Sequence, residues 1–253
     1  MSYALYERKD NVGLVTLNRP ERLNAISGDL MRDLIAVLET AFDDEQTGAL
    51  VLTGNGRAFC SGDDLKEFDL QTENEEAVFK HISAIQQVTR LLLGRDKPVI
   101  GAIHGYAVGG GFEWLLNCDL VVAADDLVAF FTEMDWGHFV TGGVTHLLPL
   151  TVGYQRAMEL FLLGERQSAQ RLESLGIVNR VVPKEQMLAC AMDLAKRIAA
   201  KSRYAISNLK ATLNRDLGEA LWKAIDREQA VTIAAFNHPD TIKRVKAFEA
   251  RKK

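Results

Sequence analysis

Apolar positions along this chain follow two periods, and the two alternate. Short apolar runs at 4–8, 12–17, 49–53, 99–103 and 120–124 read as strands, the last two as buried ones. Asp10-Asn11 joins the first pair as a hairpin. Between these runs apolar residues recur every three or four positions. Leu30, Leu34, Ile35, Leu38, Ala41 and Phe42 give one face to a helix that Ser27 caps and that ends near Asp43. Val78, Ile82, Ile85, Val88 and Leu92 do the same over 75–93. A short strand at 127–131 follows, then helices from Gly142-Gly143 to residue 150, at 153–163 and at 168–175, and a strand at 177–182. From Pro183 onward the pattern is almost wholly helical.

Strands alternating with helices imply an α/β core. No Ser/Gly-rich linker separates the helical tail, so the tail is expected to pack on the core or on a neighbour. Leu188, Met192, Ala195, Ile198 and Ala199 fall on one helical face, and Leu209, Leu213, Leu217, Leu221, Ile225 and Phe236 extend the apolar supply. That is more apolar helix surface than the tail is expected to bury alone, which predicts an interface between copies.

Composition narrows the function classes. The 253 residues are 47% hydrophobic and 25% charged, with a net charge of −4. No basic block precedes Arg251-Lys252-Lys253, which argues against nucleic acid as the main partner. Cys60, Cys118 and Cys190 are scattered, with neither metal-ligand spacing nor a disulfide framework. No leader pattern and no run of 18 apolar residues is present, so a cytoplasmic, non-membrane protein is expected.

Two glycine-rich segments carry the candidate chemistry. Tyr106-Ala-Val-Gly-Gly-Gly-Phe-Glu-Trp114 follows a buried strand and opens a short helix. Its three glycines let backbone approach a ligand, and Glu113 lies one helical turn inside an otherwise apolar stretch. Tight strand-to-helix packing explains the same glycines without any ligand. Thr53-Gly-Asn-Gly-Arg-Ala-Phe-Cys-Ser-Gly-Asp-Asp-Leu-Lys-Glu67 is a second strand-to-helix loop. Asp64 and Glu67 have capping-box spacing, which predicts a helix start near Leu65. Two such loops can offer two N–H donors to one carbonyl oxygen.

These segments, with Leu17-Asn-Arg-Pro-Glu-Arg-Leu-Asn-Ala25, Cys118-Asp-Leu, Gly153, Gly164, the stretch at 175–179 and Ala247-Phe248, resemble the enoyl-CoA hydratase/isomerase (crotonase) family in family order over nearly the whole chain. The resemblance implies an α/β fold: a crotonase-like spiral of ββα units over residues 1–195, then a helical oligomerisation region over 196–253 that builds trimers or hexamers. It implies an acyl-CoA thioester substrate, coenzyme A only as part of that substrate, and no other cofactor. The expected reaction is addition of water to a 2-enoyl-CoA, with an enoyl-CoA isomerase or another family hydrolase or lyase as rivals. A non-catalytic binding protein is disfavoured by the intact glycines and both glutamates.

Residue by residue, the resemblance puts oxyanion donors at the N–H groups of Asp63 and Gly110. Losing such a donor costs roughly 3–4 kcal/mol. Glu113 is expected to activate water and Glu133 to exchange the α-proton, the plain alternative for Glu133 being a surface carboxylate. The family usually has a small or apolar residue at Asp63, so its carboxylate is expected to point away from the oxyanion. Ser61, Trp136 and Phe139 are expected around the substrate, Arg22 and Lys66 at its phosphates, and Arg251 at a neighbour's. Val140 and Thr141 depart from the family's Pro-Gly, which predicts an unusual acyl pocket. His104 is expected to make a structural hydrogen bond and Cys60 to pack.

Overall fold

The computed structural model describes residues 2–67 and 73–251, with side chains undescribed at 214–217 and 248–251. Strands β1 (Ala4–Lys9) and β2 (Val12–Leu17) form the expected hairpin, antiparallel, with Asp10 at a φ of 58° in its turn. Parallel pairing then adds β3 (Ala49–Gly54), β4 (Val99–Ile103), β6 (Leu120–Ala124) and β9 (Arg180–Val182), giving the order β1-β2-β3-β4-β6-β9. All residues of β2, β3 and β4 are buried, as befits strands covered on both faces. A second sheet joins β5 (Tyr106–Val108), β7 (Val128–Phe130) and β8 (Gln167–Ser168).

Helix α1 (Gly28–Asp43) starts where Ser27 accepts the Leu30 N–H at 3.2 Å, a cap worth about 1 kcal/mol. Helix α2 (Glu75–Gly94) is capped in the same way by Asn74. Their apolar faces close one side of the large sheet. The other side is covered by α8 (Lys184–Ala199) through Met187, Ala191, Leu194 and Ala195.

Several sequence expectations change here. The capping box at Asp64 does not form: Glu67 accepts the Gly28 N–H at 3.0 Å, while Asp64 accepts from Lys66 N–H and pairs with Arg19 at 2.7 Å. Residues 65–66 make a turn, and the rest of the helix expected there falls at 68–72, outside the described residues. The strand expected from 177 begins only at Arg180. Gly176 has a left-handed φ of 78°, and the Ile177 N–H turns back to Leu172 O, so Ile177 and Val178 close a helix end instead.

The tail packs on the core, one of the two placements expected of it, and buries part of the apolar surface expected at an interface between copies. Helix α9 (Arg203–Phe236) lies along α2 and buries Leu221, Ile225 and Phe236 within its own chain. Leu209 and Leu213 remain 58% and 57% exposed, whereas Leu221 and Ile225 are fully buried. Leu188 points outward and Ala195 inward, so those two do not share an exposed face. The side chain of Leu217 lies outside the described residues. Buried Lys210 anchors α9 by donating to Leu92 O, Lys97 O and Asp119 Oδ2. A last helix, α10, spans Pro239–Arg251. Among the described residues no helix is long and apolar enough to cross a membrane.

Candidate active site

Backbone hydrogen bonds zip the two glycine-rich loops together. Phe59 N–H donates to His104 O, Cys60 N–H to Tyr106 O, and Val108 N–H to Cys60 O. This short ladder uses β5, a strand inside the expected loop. Helix α3 (Gly110–Leu116) follows directly. Each glycine of its triplet is bare for a different reason. Gly109 has φ 52° and ψ −121°, which side chains avoid, and a Cβ there would stand 2.8 Å from Glu133 Oε1. A Cβ on Gly110 would meet Ile26 Cδ1 at 2.7 Å, and one on Gly111 would meet Cys60 O at 2.6 Å. Close packing therefore accounts for Gly111, while Gly109 makes room for a carboxylate.

The pocket has two compartments. The outer one, about 180 Å³, is lined by Ser61, Asp63, Leu65, Val108, Gly109, Gly110, Thr132, Glu133, Trp136 and His138. The inner one, about 30 Å³, is lined by Glu113 and Glu133 together with Asp63, Gly110, His138, Phe139 and Thr141, and by apolar groups from α2 and α9. The structure thus brings Glu113, Glu133, Asp63 and Gly110 to one cavity, with Ser61 and Trp136 at its mouth and Phe139 at its inner wall. Arg22 and Lys66 are exposed and line neither compartment. The Arg251 side chain lies outside the described residues.

Glu113 is buried, and both its oxygens are held by one residue. Thr141 donates its N–H to Oε1 at 3.0 Å and its hydroxyl to Oε2 at 2.8 Å. Gly142 permits this approach, since a Cβ there would lie 2.7 Å from Glu113 Cβ. Its carbonyl is fixed by Asn117 Nδ2 at 2.8 Å. Burial drives the Glu113 carboxyl well above the usual range, the negative charges of Glu133 and Glu228 add to this, and the Thr141 bonds oppose it.

Glu133 opens the one-turn helix α4 (Glu133–Trp136), and its Oε2 accepts the Thr132 N–H at 2.8 Å. Burial pushes it up to about 7; backbone N–H donors oppose that, and the Asp63 charge reinforces it. Carboxylates that line one small cavity and feel each other's charge titrate as a pair. Glu228, on α9, accepts Gly143 N–H at 2.6 Å and Thr145 N–H at 2.8 Å, clamping the segment that carries Thr141.

Asp63 is anchored by a bridge between its backbone and Ile26, and its Oδ1 lies 3.3 Å from His81 Nε2 on α2. Burial opposes its ionisation, but His81 and, to a smaller degree, His138 hold it below the ordinary value. His138 stacks on Phe236, with centroids 4.4 Å apart and planes 15° from parallel; burial pushes its imidazole down. Buried His104 makes a 3.1 Å bond with Gly56 O, the structural role expected of it. Burial raises the Cys60 thiol to about 12, which removes it as a nucleophile at neutral pH.

Neither His81 nor Glu228 is among the expected site residues, and Thr141 is expected only to shape the acyl pocket, not to bond Glu113. The first two leave a signal: each interrupts the apolar stripe of a helix, His81 between Val78 and Ile82 and Glu228 between Ile225 and Phe236.

A spiral of strand and helix units enclosing two glutamates in one cavity behind a glycine loop defines a crotonase-type α/β protein. A family model described as enoyl-CoA hydratase/isomerase matches residues 7–253, and the chain belongs to that family. It is 33% identical over 255 residues to the "Probable enoyl-CoA hydratase" of Rhizobium meliloti, covering 100% of this chain and 98% of the relative. It is 32% identical to the "Enoyl-CoA hydratase, mitochondrial" of Pongo abelii, covering 97% of this chain and 83% of the relative. Among solved structures, an enoyl-CoA hydratase/isomerase from Xanthobacter autotrophicus Py2 superposes with a TM-score of 0.90 at 32% identity, covering 100% of this chain and 94% of that one.

Proposed function

We propose that this protein is an enoyl-CoA hydratase that adds water reversibly across the 2,3-double bond of a 2-enoyl-CoA thioester. The observation that carries this reading is the shared inner cavity of Glu113 and Glu133, bordered by Gly110 and Asp63. As a water oxygen bonds to the β-carbon, its proton passes to one carboxylate and the π electrons move onto the thioester oxygen. The Gly110 and Asp63 N–H groups receive that charge. The enolate then collapses as the second carboxyl gives its proton to the α-carbon. Water adds across the double bond with no net oxidation or reduction, so the chemistry as written needs no redox cofactor, and coenzyme A enters with the substrate.

Family resemblance assigns Glu113 to the water and Glu133 to the α-carbon. Burial favours the protonated form of Glu113. The water-activating form is then the one in which that proton has passed to Glu133, and the two Thr141 donors stabilise the Glu113 anion so formed. The leucines at 209 and 213 support a trimer, in which they would be covered.

The test is a panel of straight, branched, cyclic and aromatic 2-enoyl-CoA and 3-enoyl-CoA thioesters, with products identified by mass. Hydrated products support the reading. Conversion of 3-enoyl to 2-enoyl thioesters without hydration makes the protein an isomerase instead.

A further inference from the structure

A carboxylate beside a developing oxyanion is an electrostatic liability, and Asp63 brings one to this pocket. Its backbone is fixed by the parallel bridge to Ile26, so its N–H and its side chain cannot both move away from the site. The side chain turns towards α2, where His81 Nε2 waits 3.3 Å from Oδ1. That is an ion-pair distance, although out of alignment for a hydrogen bond. Among the described residues neither of these two atoms has another hydrogen-bond partner, and both are buried. His81 sits on the apolar stripe of α2, where a histidine has no packing advantage over the neighbouring Val78 and Ile82. Its ring lies 6.3 Å from that of Phe236 on α9, which limits where it can swing.

We infer that His81 is a positioning residue for the reaction: it draws the Asp63 carboxylate towards α2 and offsets its charge, leaving the Asp63 N–H free to receive the thioester oxygen. This rests on the hydratase reading of the same pocket. The other charged or titratable groups lining the cavity, Glu113 from α3, Glu133 from α4 and His138 just after it, include two carboxylates. From α9 the cavity receives the uncharged Thr232 and Phe236, and from α2 the apolar Ile82 and Ile85. His81 is the basic side chain at ion-pair distance from Asp63 there.

The test is a double-mutant cycle on a short 2-enoyl-CoA thioester, using His81→Gln, Asp63→Ala and the double variant. His81→Gln should lower kcat about tenfold or more with little change in KM, because the Asp63 anion is then uncompensated. In the Asp63→Ala background the same change should cost less than about twofold, since no anion remains to offset. Equal losses in both backgrounds, or full activity in His81→Gln, overturn the inference. A second readout does not depend on turnover. The Asp63 carboxyl, followed by carbon NMR, should titrate at higher pH in His81→Gln than in the parent, because a partner that favours its ionised form is gone. An unmoved midpoint overturns the pairing. A parent protein that hydrates no enoyl thioester defeats the hydratase reading, and with it the role in positioning, while the NMR result still decides whether the pair exists.

Discussion

The two glutamates are held in opposite ways. Glu113 stands on α3, and its carboxylate is gripped from 28 positions away by the backbone and hydroxyl of Thr141. The Thr141 segment is itself clamped by Asn117 from one side and Glu228 from the other. Glu133 is held locally, by the N–H of the residue before it, on a helix of four residues. Gly109, far away in sequence, makes room for Oε1 through its missing Cβ. One carboxylate is thus part of a cross-linked network, and the other rides on a turn. A networked group is ordered before substrate arrives. A turn-held group is the easier one to reorient as a proton is delivered.

This contrast can be broken most forcefully at the carboxylates themselves. Glu133→Gln and Glu113→Gln should each lower hydration by roughly two to four orders of magnitude, with much smaller effects on thioester affinity. If Glu113→Gln instead retains 3-enoyl to 2-enoyl isomerisation while Glu133→Gln abolishes it, the pair is not a hydratase pair. Steady-state rates on both substrate types decide this.

Next in size is the loop that borders both groups. Gly110→Pro removes the N–H assigned to the thioester oxygen and should cut turnover about 100-fold. Melting temperature and coenzyme A thioester binding, followed in parallel, separate this from loop distortion. A folded Gly110→Pro protein with full activity would remove Gly110 from the mechanism.

Smaller still is the effect on the network that grips Glu113. Thr141→Val keeps the backbone donor and loses the hydroxyl, so kcat should fall about tenfold. Thr141→Ser should restore most of it. Equal activity in Val and Ser variants would mean that the hydroxyl contributes only shape.

The smallest effect is on stability and has a definite sign. Burial pushes the Glu133 carboxyl up to about 7 in the folded protein, above its ordinary value, so folding takes up a proton between those two pH values. Stability from this group is complete at acid pH and is lost as pH rises through about 7. Glu133→Gln cannot ionise. Its melting temperature should therefore match or trail the parent near pH 4 and exceed it by a few degrees at pH 8. Parallel melting curves across that range would contradict the buried, raised carboxyl.

Local pattern carried much of the architecture. The fully apolar runs of β3 and β4, the Ser27 cap and the stripes of α1 and α2 all follow from residue spacing, because burial of a strand or helix face repeats at a fixed period. The glycine loop and Glu113 were also legible, since three glycines before a carboxylate in an apolar stretch leave few uses. Harder to see were β5 and α4. Each is only three or four residues long, and each exists because partners elsewhere in the chain pair with it or cap it.

What the sequence by itself determined about this protein is its alternating α/β order, its family and the pair of glutamates as candidates. Tertiary structure alone decided that the two carboxylates share a cavity, that Thr141 is bonded to one of them and that Asp63 turns to His81. It also decided that the C-terminal stripe of α9 is consumed inside the chain while Leu209 and Leu213 stay uncovered. The physical reason is one of range. Helical and strand periods are written into neighbouring positions, whereas pKa values, pocket walls and ion pairs depend on groups brought together from as far apart as Glu113 and Glu228, whose charges meet only after the chain has folded.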